Sequence, residues 1–363
     1  FQILEHHHSR KHFQNVEVKM NKISIFQLFL GLFVVQLGFV YISLPSILVT
    51  EAKRDVTIIF ILVIILYGCI LTFYNRFYRY FLVHSFFKWL YVVYWSINVI
   101  VLVVSLTSTL KRWLMFNTPA LVIIVLILLV CFYGVVSRAE TTINIPVFII
   151  PLIVIFLVTL LRVVPELRVY QFFPLFDSTK GEWLQGFIFA WYAFMGAELF
   201  LIFRRYVIKK VTVKSIAVFV SIIGGMHLLA IIITLLYFPR VETKVILEPL
   251  LYILNAQEVM FLKRLDIFFI YIWFMWSVVA ILYYLLAIKI VTKMDQKKRK
   301  NGIWAVLLSS VAIISVNLVN IDFILMIKNY LIYFVIVFSF LLPISIIIFN
   351  RVRRKTCDTD SFS

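Results

Sequence analysis

Few side chains in this sequence are placed to do chemistry, and Glu198 is the foremost of them. It lies in Gln185-Gly-Phe-Ile-Phe-Ala-Trp-Tyr-Ala-Phe-Met-Gly196-Ala-Glu198-Leu-Phe-Leu-Ile-Phe203, a run apolar enough to cross a bilayer as a helix, which takes about 20 residues. A carboxylate at that depth costs about 2.5–3.5 kcal/mol on insertion scales, so a chain that keeps one aims it at a cavity, a partner or a ligand. Gly196, two residues earlier, lowers helix propensity by about 1 kcal/mol relative to alanine. The helix is therefore weak where it is polar. Two readings follow: Glu198 is a wall of a buried site, or it is hydrogen-bonded to a neighbouring helix for packing. The default for an intramembrane carboxylate favours the first.

The remaining polar candidates are sparse. Tyr94 and Asn98 lie one turn apart on one helix face; each reads either as a site residue or as an interhelical packing contact. His227, beside Gly224-Gly225, reads as a hydrogen-bonded packing residue, with a proton relay as the alternative. Arg264 and Asp266 read as a structural pair or cap. Cys69, Cys131 and Cys357 show no metal spacing and no disulfide framework. No HExxH, G-x-S-x-G or paired His and carboxylate at metal spacing occurs, so no enzyme, metal site or cofactor is expected.

The elements that position these residues follow from composition. Of 363 residues, 63% are hydrophobic and 14% charged, which defines an all-α polytopic membrane protein. The net charge of +18 falls between the apolar runs, which points to orientation signals and anionic lipid headgroups, not to nucleic acid. Residues 1–19 are polar, include His6-His7-His8, and are expected to be a non-native or upstream-extended segment, with Met20 as the natural start. Residues 20–355 are expected to form a single domain of about ten spans, and 356–363 a cytoplasmic tail.

Span one covers about Ile23–Val49, with Gly38 and Pro45 weakening it. Spans two to five cover about Val56–Tyr74, Phe86–Leu110, Pro119–Val136 and Ile145–Leu161. The Glu198 run is span six, and Ser215–Phe238 span seven. A short surface helix is expected around Pro249–Met260. Spans eight to ten cover about Leu265–Ile290, Ile303–Ile321 and Tyr330–Ile348. The basic residues Arg204, Arg205, Lys209, Lys210 and Lys214, the cluster Lys293 to Lys300 and the run Arg351 to Lys355 fall on one side. The positive-inside rule makes that side, and with it both termini, cytoplasmic. About five spans in each half give an inverted repeat (about 22–162 and 183–350). Spans one and six, each first in its half, are the expected broken helices with a site at the midplane. Both glycines serving only close helix packing is the alternative.

These residues resemble the spore germination permease family, the B subunits of germinant receptors, within the amino acid–polyamine–organocation transporter superfamily. The resemblance is carried by Ile23-Ser24-Ile-Phe-Gln27 leading to Gly38 and Leu44-Pro45, by Asn117-Thr118-Pro119, by Phe194-Met-Gly196-Ala-Glu198 and Lys209-Lys210, and by Leu262-Lys-Arg264-Leu-Asp266 with Trp273. It implies a pocket between broken spans one and six and spans three and eight. The candidate ligand-binding set is then Gly38, Tyr41, Tyr94, Asn98, Met195, Gly196, Glu198 and Ser277. Members that recognise L-alanine commonly carry a second small residue two after the first glycine; Val40 stands there in this chain. The resemblance further implies a small germinant (an amino acid or similar), receptor A and C subunits as partners, and residence in the inner membrane of the spore. An amino acid transporter coupled to protons is the alternative, with Glu198 as proton carrier.

Overall fold

In a computed structural model of the chain the described residues are 22–81, 85–243, 245–257, 264–294, 300–319, 326 and 330–359. The expectations for residues 1–19 and for most of the cationic stretch 295–299 lie outside them. Apart from one bridge between Ile23 and Val207, the regular structure of the described residues is helical.

The chain enters its first helix, α1 (Ile25–Val40), through a reciprocal cap. Ser24 Oγ accepts the Gln27 amide at 3.1 Å and Gln27 Oε1 accepts the Ser24 amide at 2.8 Å, which satisfies two donors that a helix start leaves free. The helix stops at a turn over residues 41–43, and α2 (Leu44–Ala52) restarts with Pro45 in its first turn, where the missing N–H costs nothing. Span one is thus broken where its glycine and proline foretold. Next come α3 (Val56–Phe77), α4 (Ser85–Trp113), α5 (Ala120–Val136) and α6 (Ala139–Leu161), which stays helical through Pro146 and Pro151.

Span six is also broken. It consists of α7 (Lys180–Ala190), a tight 3-10 turn over Trp191–Phe194, a turn over 195–198, and α8 (Leu199–Phe203). There follow α9 (Val213–Tyr237), α10 (Pro249–Asn255), α11 (Leu265–Thr292) and α12 (Lys300–Leu318). The last span ends in α13 (Leu342–Thr359), directly after a π-helical turn at Ile336–Leu341. The expected surface helix is α10; it leaves Tyr252 and Asn255 exposed and buries its other face. Leu250, Leu251, Ile253 and Leu254 are fully buried against α11, because four apolar side chains in seven residues leave it little polar face to show.

Among the described residues eight helical segments are long and apolar enough to cross a membrane, and two shorter apolar helices, Ile25–Gly38 and Ala120–Val136, accompany them. Together they supply one element for each expected span. Their enclosure differs. The span-six segment Lys180–Tyr206 is 89% buried over its apolar window, whereas Ala139–Glu166 and Asn301–Leu318 are each 22% buried. The broken helix is at the centre and spans five and nine face outward.

Spans one and six run in opposite senses and are tied at both ends. At one end the Ile23 amide donates to Tyr206 O (3.0 Å) and the Ile208 amide to Ile23 O (3.4 Å). At the other, Asp55 accepts from the Phe176 and Ser178 amides and Trp183 Nε1, while Lys53 pairs with Glu182 at 2.6 Å.

Candidate functional site

The break in span six is set by one residue. Gly196 has φ +87°, in the left-handed region where a side chain is strained. A Cβ built there would lie 2.8 Å from Val35 Cγ1 and 3.1 Å from Tyr284 Oη. Met195 before it is extended (ψ 138°) and buried. This turn delivers Glu198 to the interior.

Glu198 is completely buried. Trp95 Nε1 on α4 donates to its Oε1 at 3.0 Å, and Oε2 has no donor at hydrogen-bonding distance. The Ser339 hydroxyl faces the same carboxylate and lies 3.1 Å from Tyr94 Oη. Asn98 stands beside that phenol. The Tyr284 hydroxyl, against Gly196, is buried with no hydrogen bond. Among the described residues no basic side chain pairs with Glu198; the ion pairs Arg112–Glu248 and Arg264–Asp266 lie elsewhere. A buried carboxylate without a cation is costly and neutralises by taking a proton or a positive ligand group.

Span ten packs beside this cluster. Pro343 has no N–H for the carbonyl four residues back, which is that of Ser339. That carbonyl instead accepts the Tyr74 hydroxyl at 2.7 Å, and Tyr91 Oη donates to Phe338 O at 3.1 Å. The Tyr94 and Phe338 rings stack at 4.6 Å.

Gly38, Tyr41 and Ser277 form a second group. A Cβ on Gly38 would meet the Trp276 carbonyl oxygen at 2.8 Å, so the glycine lets α1 lie directly on the backbone of α11. Ser277 Oγ is 2.5 Å from Gly38 O and 2.9 Å from Trp273 O. Tyr41 Oη donates to Met226 O at 3.1 Å, and its ring meets those of His227 (5.6 Å) and Phe156 (5.3 Å). The two groups are joined by Gln36, whose Nε2 donates to Tyr67 Oη at 2.6 Å, and by the Tyr67 ring stacked 4.1 Å from Phe194.

His227 Nδ1 lies 2.9 Å from Ile223 O, the hydrogen bond of a packing residue. Arg264 forks onto Asp266 at 2.9 and 2.7 Å, and Asn255 Nδ2 joins at 3.2 Å, which pins α10 to the start of α11. The structure thus brings Tyr94, Asn98, Met195, Gly196 and Glu198 together and sets Gly38, Tyr41 and Ser277 in a closed joint. Sequence reasoning missed Trp95, Tyr284 and Ser339. Tyr284 is seven residues beyond Ser277, two turns along one helix face, and Pro343 marks Ser339 by its i−4 offset.

The fold and the buried site define a multi-pass integral membrane protein of the permease kind. The family model for spore germination proteins, the spore permeases, matches residues 22–324. The chain belongs to this family. No curated protein matches it.

Proposed function

We propose that the protein is the membrane subunit of a spore nutrient-germinant receptor. It binds a small polar germinant, an amino acid or a similar metabolite, at the break of span six and passes the binding event on to germination. One observation carries this reading: in a spore germination protein, a fully buried Glu198 offers an oxygen without a donor at a broken helix. A ligand ammonium supplies the missing positive charge, and the exposed ends of broken helices supply backbone groups for the rest of a small zwitterion. Occupancy signals only through a difference in affinity between two arrangements of the helices.

The resemblance that motivates the reading assigns it A and C subunits as partners and the spore inner membrane as its place, with membrane lipids around it; the positive-inside rule makes both termini cytoplasmic. Dipicolinate release from spores lacking the gene, against a panel of amino acids, nucleosides and sugars, tests it. Loss of one germinant response, restored by the wild-type gene and not by Glu198→Gln, is the expected result. Unchanged responses to every germinant overturn it.

A second reading is a secondary transporter that moves amino acids with protons. Substrate flux by the protein alone in vesicles separates the two.

A further inference from the structure

Span ten carries polar structure that the site as proposed does not require. Its helix widens into the π turn Ile336–Leu341. Such turns are rare, are mostly single turns inside α-helices, and are frequent at functional sites. Three features hold this one. Pro343 withholds the donor that Ser339 O would otherwise receive. Tyr74, from α3, puts its hydroxyl 2.7 Å from Ser339 O and 3.3 Å from Phe340 O. Tyr91, from α4, donates to Phe338 O at 3.1 Å. Both phenols are fully buried, so two separate spans commit buried donors to one turn of a third.

The product is the placement of Ser339. Its Oγ stands between Tyr94 Oη, at 3.1 Å, and the Glu198 carboxylate. A hydroxyl can donate to one neighbour and accept from another, so it can address a polar ligand group beside Glu198. Successive α-helical residues turn by about 100°. Resolving the π turn into α register would shift one side of the helix by about one position and swing Ser339 off the carboxylate.

We infer that Ser339 contacts the ligand and helps set its specificity, and that Tyr74 and Tyr91 are positioning residues that hold the π turn presenting it. The inference rests on the reading of the Glu198 cluster as the ligand site. It adds span ten as a wall, beyond residues 22–324 that match the family.

The test uses spores carrying S339A, Y74F, Y91F or E198Q in the full chain. They are given a graded mixture of proteinogenic amino acids, nucleosides and sugars, and dipicolinate release is followed. S339A, Y74F and Y91F are each expected to raise the half-maximal concentration about tenfold, the scale of one lost hydrogen bond. The maximal rate and the membrane level of the protein stay unchanged. S339C gives a second readout: its thiol is expected to react with a small cationic methanethiosulfonate and to be protected by the mixture. Y74F combined with S339C is expected to lose that protection, whereas a tyrosine serving only packing would lower the protein level and leave protection intact. If E198Q shifts the response while S339A does not, or S339C is unreactive or unprotected, the inference is overturned and the Glu198 reading stands. If E198Q is also silent, the ligand-site reading falls and takes this inference with it.

Discussion

The breaks in spans one and six look alike in sequence and differ in what surrounds them. At the first, Gly38 O has the Ser277 hydroxyl and Tyr41 Oη has Met226 O, and the buried polar atoms left without a partner there, Gln36 Oε1, His227 Nε2 and Trp276 Nε1, belong to uncharged or neutral-capable groups. At the second, Glu198 Oε2 and the Tyr284 hydroxyl have none. A glycine serves each break for its own reason. Gly38 admits the α11 backbone at close range, while Gly196 supplies a left-handed φ. The lesson is that a broken membrane helix is not in itself a binding site. The second break differs in holding an unmatched carboxylate, and that is why the proposed ligand site is placed there.

Substitutions can break that comparison. The largest effect is expected from Gly196→Ala, which meets both a strained φ and the Val35 and Tyr284 side chains. It should cost about 2–4 kcal/mol and abolish the germinant response, seen as a lower thermal midpoint in detergent and no dipicolinate release. Gly38→Ala presses a Cβ on the Trp276 carbonyl, which as backbone cannot yield. A loss of about 1–3 kcal/mol is expected, with the response retained at a temperature where the protein stays folded. A lost response there would mean that the first break also holds ligand.

Glu198→Gln sharpens the contrast from the other side. It keeps the shape, removes the charge, and should leave thermal stability unchanged or higher. The half-maximal germinant concentration should rise at least about tenfold, or about 1.4 kcal/mol; an unchanged dose–response curve removes Glu198 from the site. Ser277→Ala gives up the hydrogen bond to Gly38 O at the α1–α11 joint. A stability loss of about 0.5–1.5 kcal/mol is expected, with no shift in the dose–response curve. Tyr41→Phe, losing only the bond to Met226 O, should fall at the low end of that range by the same two measurements.

The spans were legible because lipid demands long apolar runs, and the breaks were legible because Gly38 and Pro45 mark the first and Gly196 the second. Glu198 stood out as the one carboxylate in the apolar run Gln185–Phe203. What sequence did not resolve was the division of labour among the candidates. Gly38 and Ser277 have the residue types of a site, yet they meet each other across the α1–α11 contact, a pairing fixed by three-dimensional packing and by no local pattern. Ser339 went unread because a serine in an apolar span is common. Its meaning comes from Pro343 four residues later and from two tyrosines about 250 residues away, each more than 240 positions distant in the chain. The burial of α10 likewise depended on α11, since a seven-residue segment shows too short a pattern to reveal which face is covered.

The ties between spans one and six bear on mechanics. One end carries the paired backbone of Ile23 with Tyr206 and Ile208, the other the Lys53–Glu182 and Asp55 contacts. Two struts bolted at both ends make a single stiff beam: tilting one carries the other, and neither slides past its mate while the bolts hold. On the proposed reading of Glu198 as a ligand group, rearrangement around it would be a rocking of this beam against its neighbours, with the Trp95 contact as the bearing on which it turns.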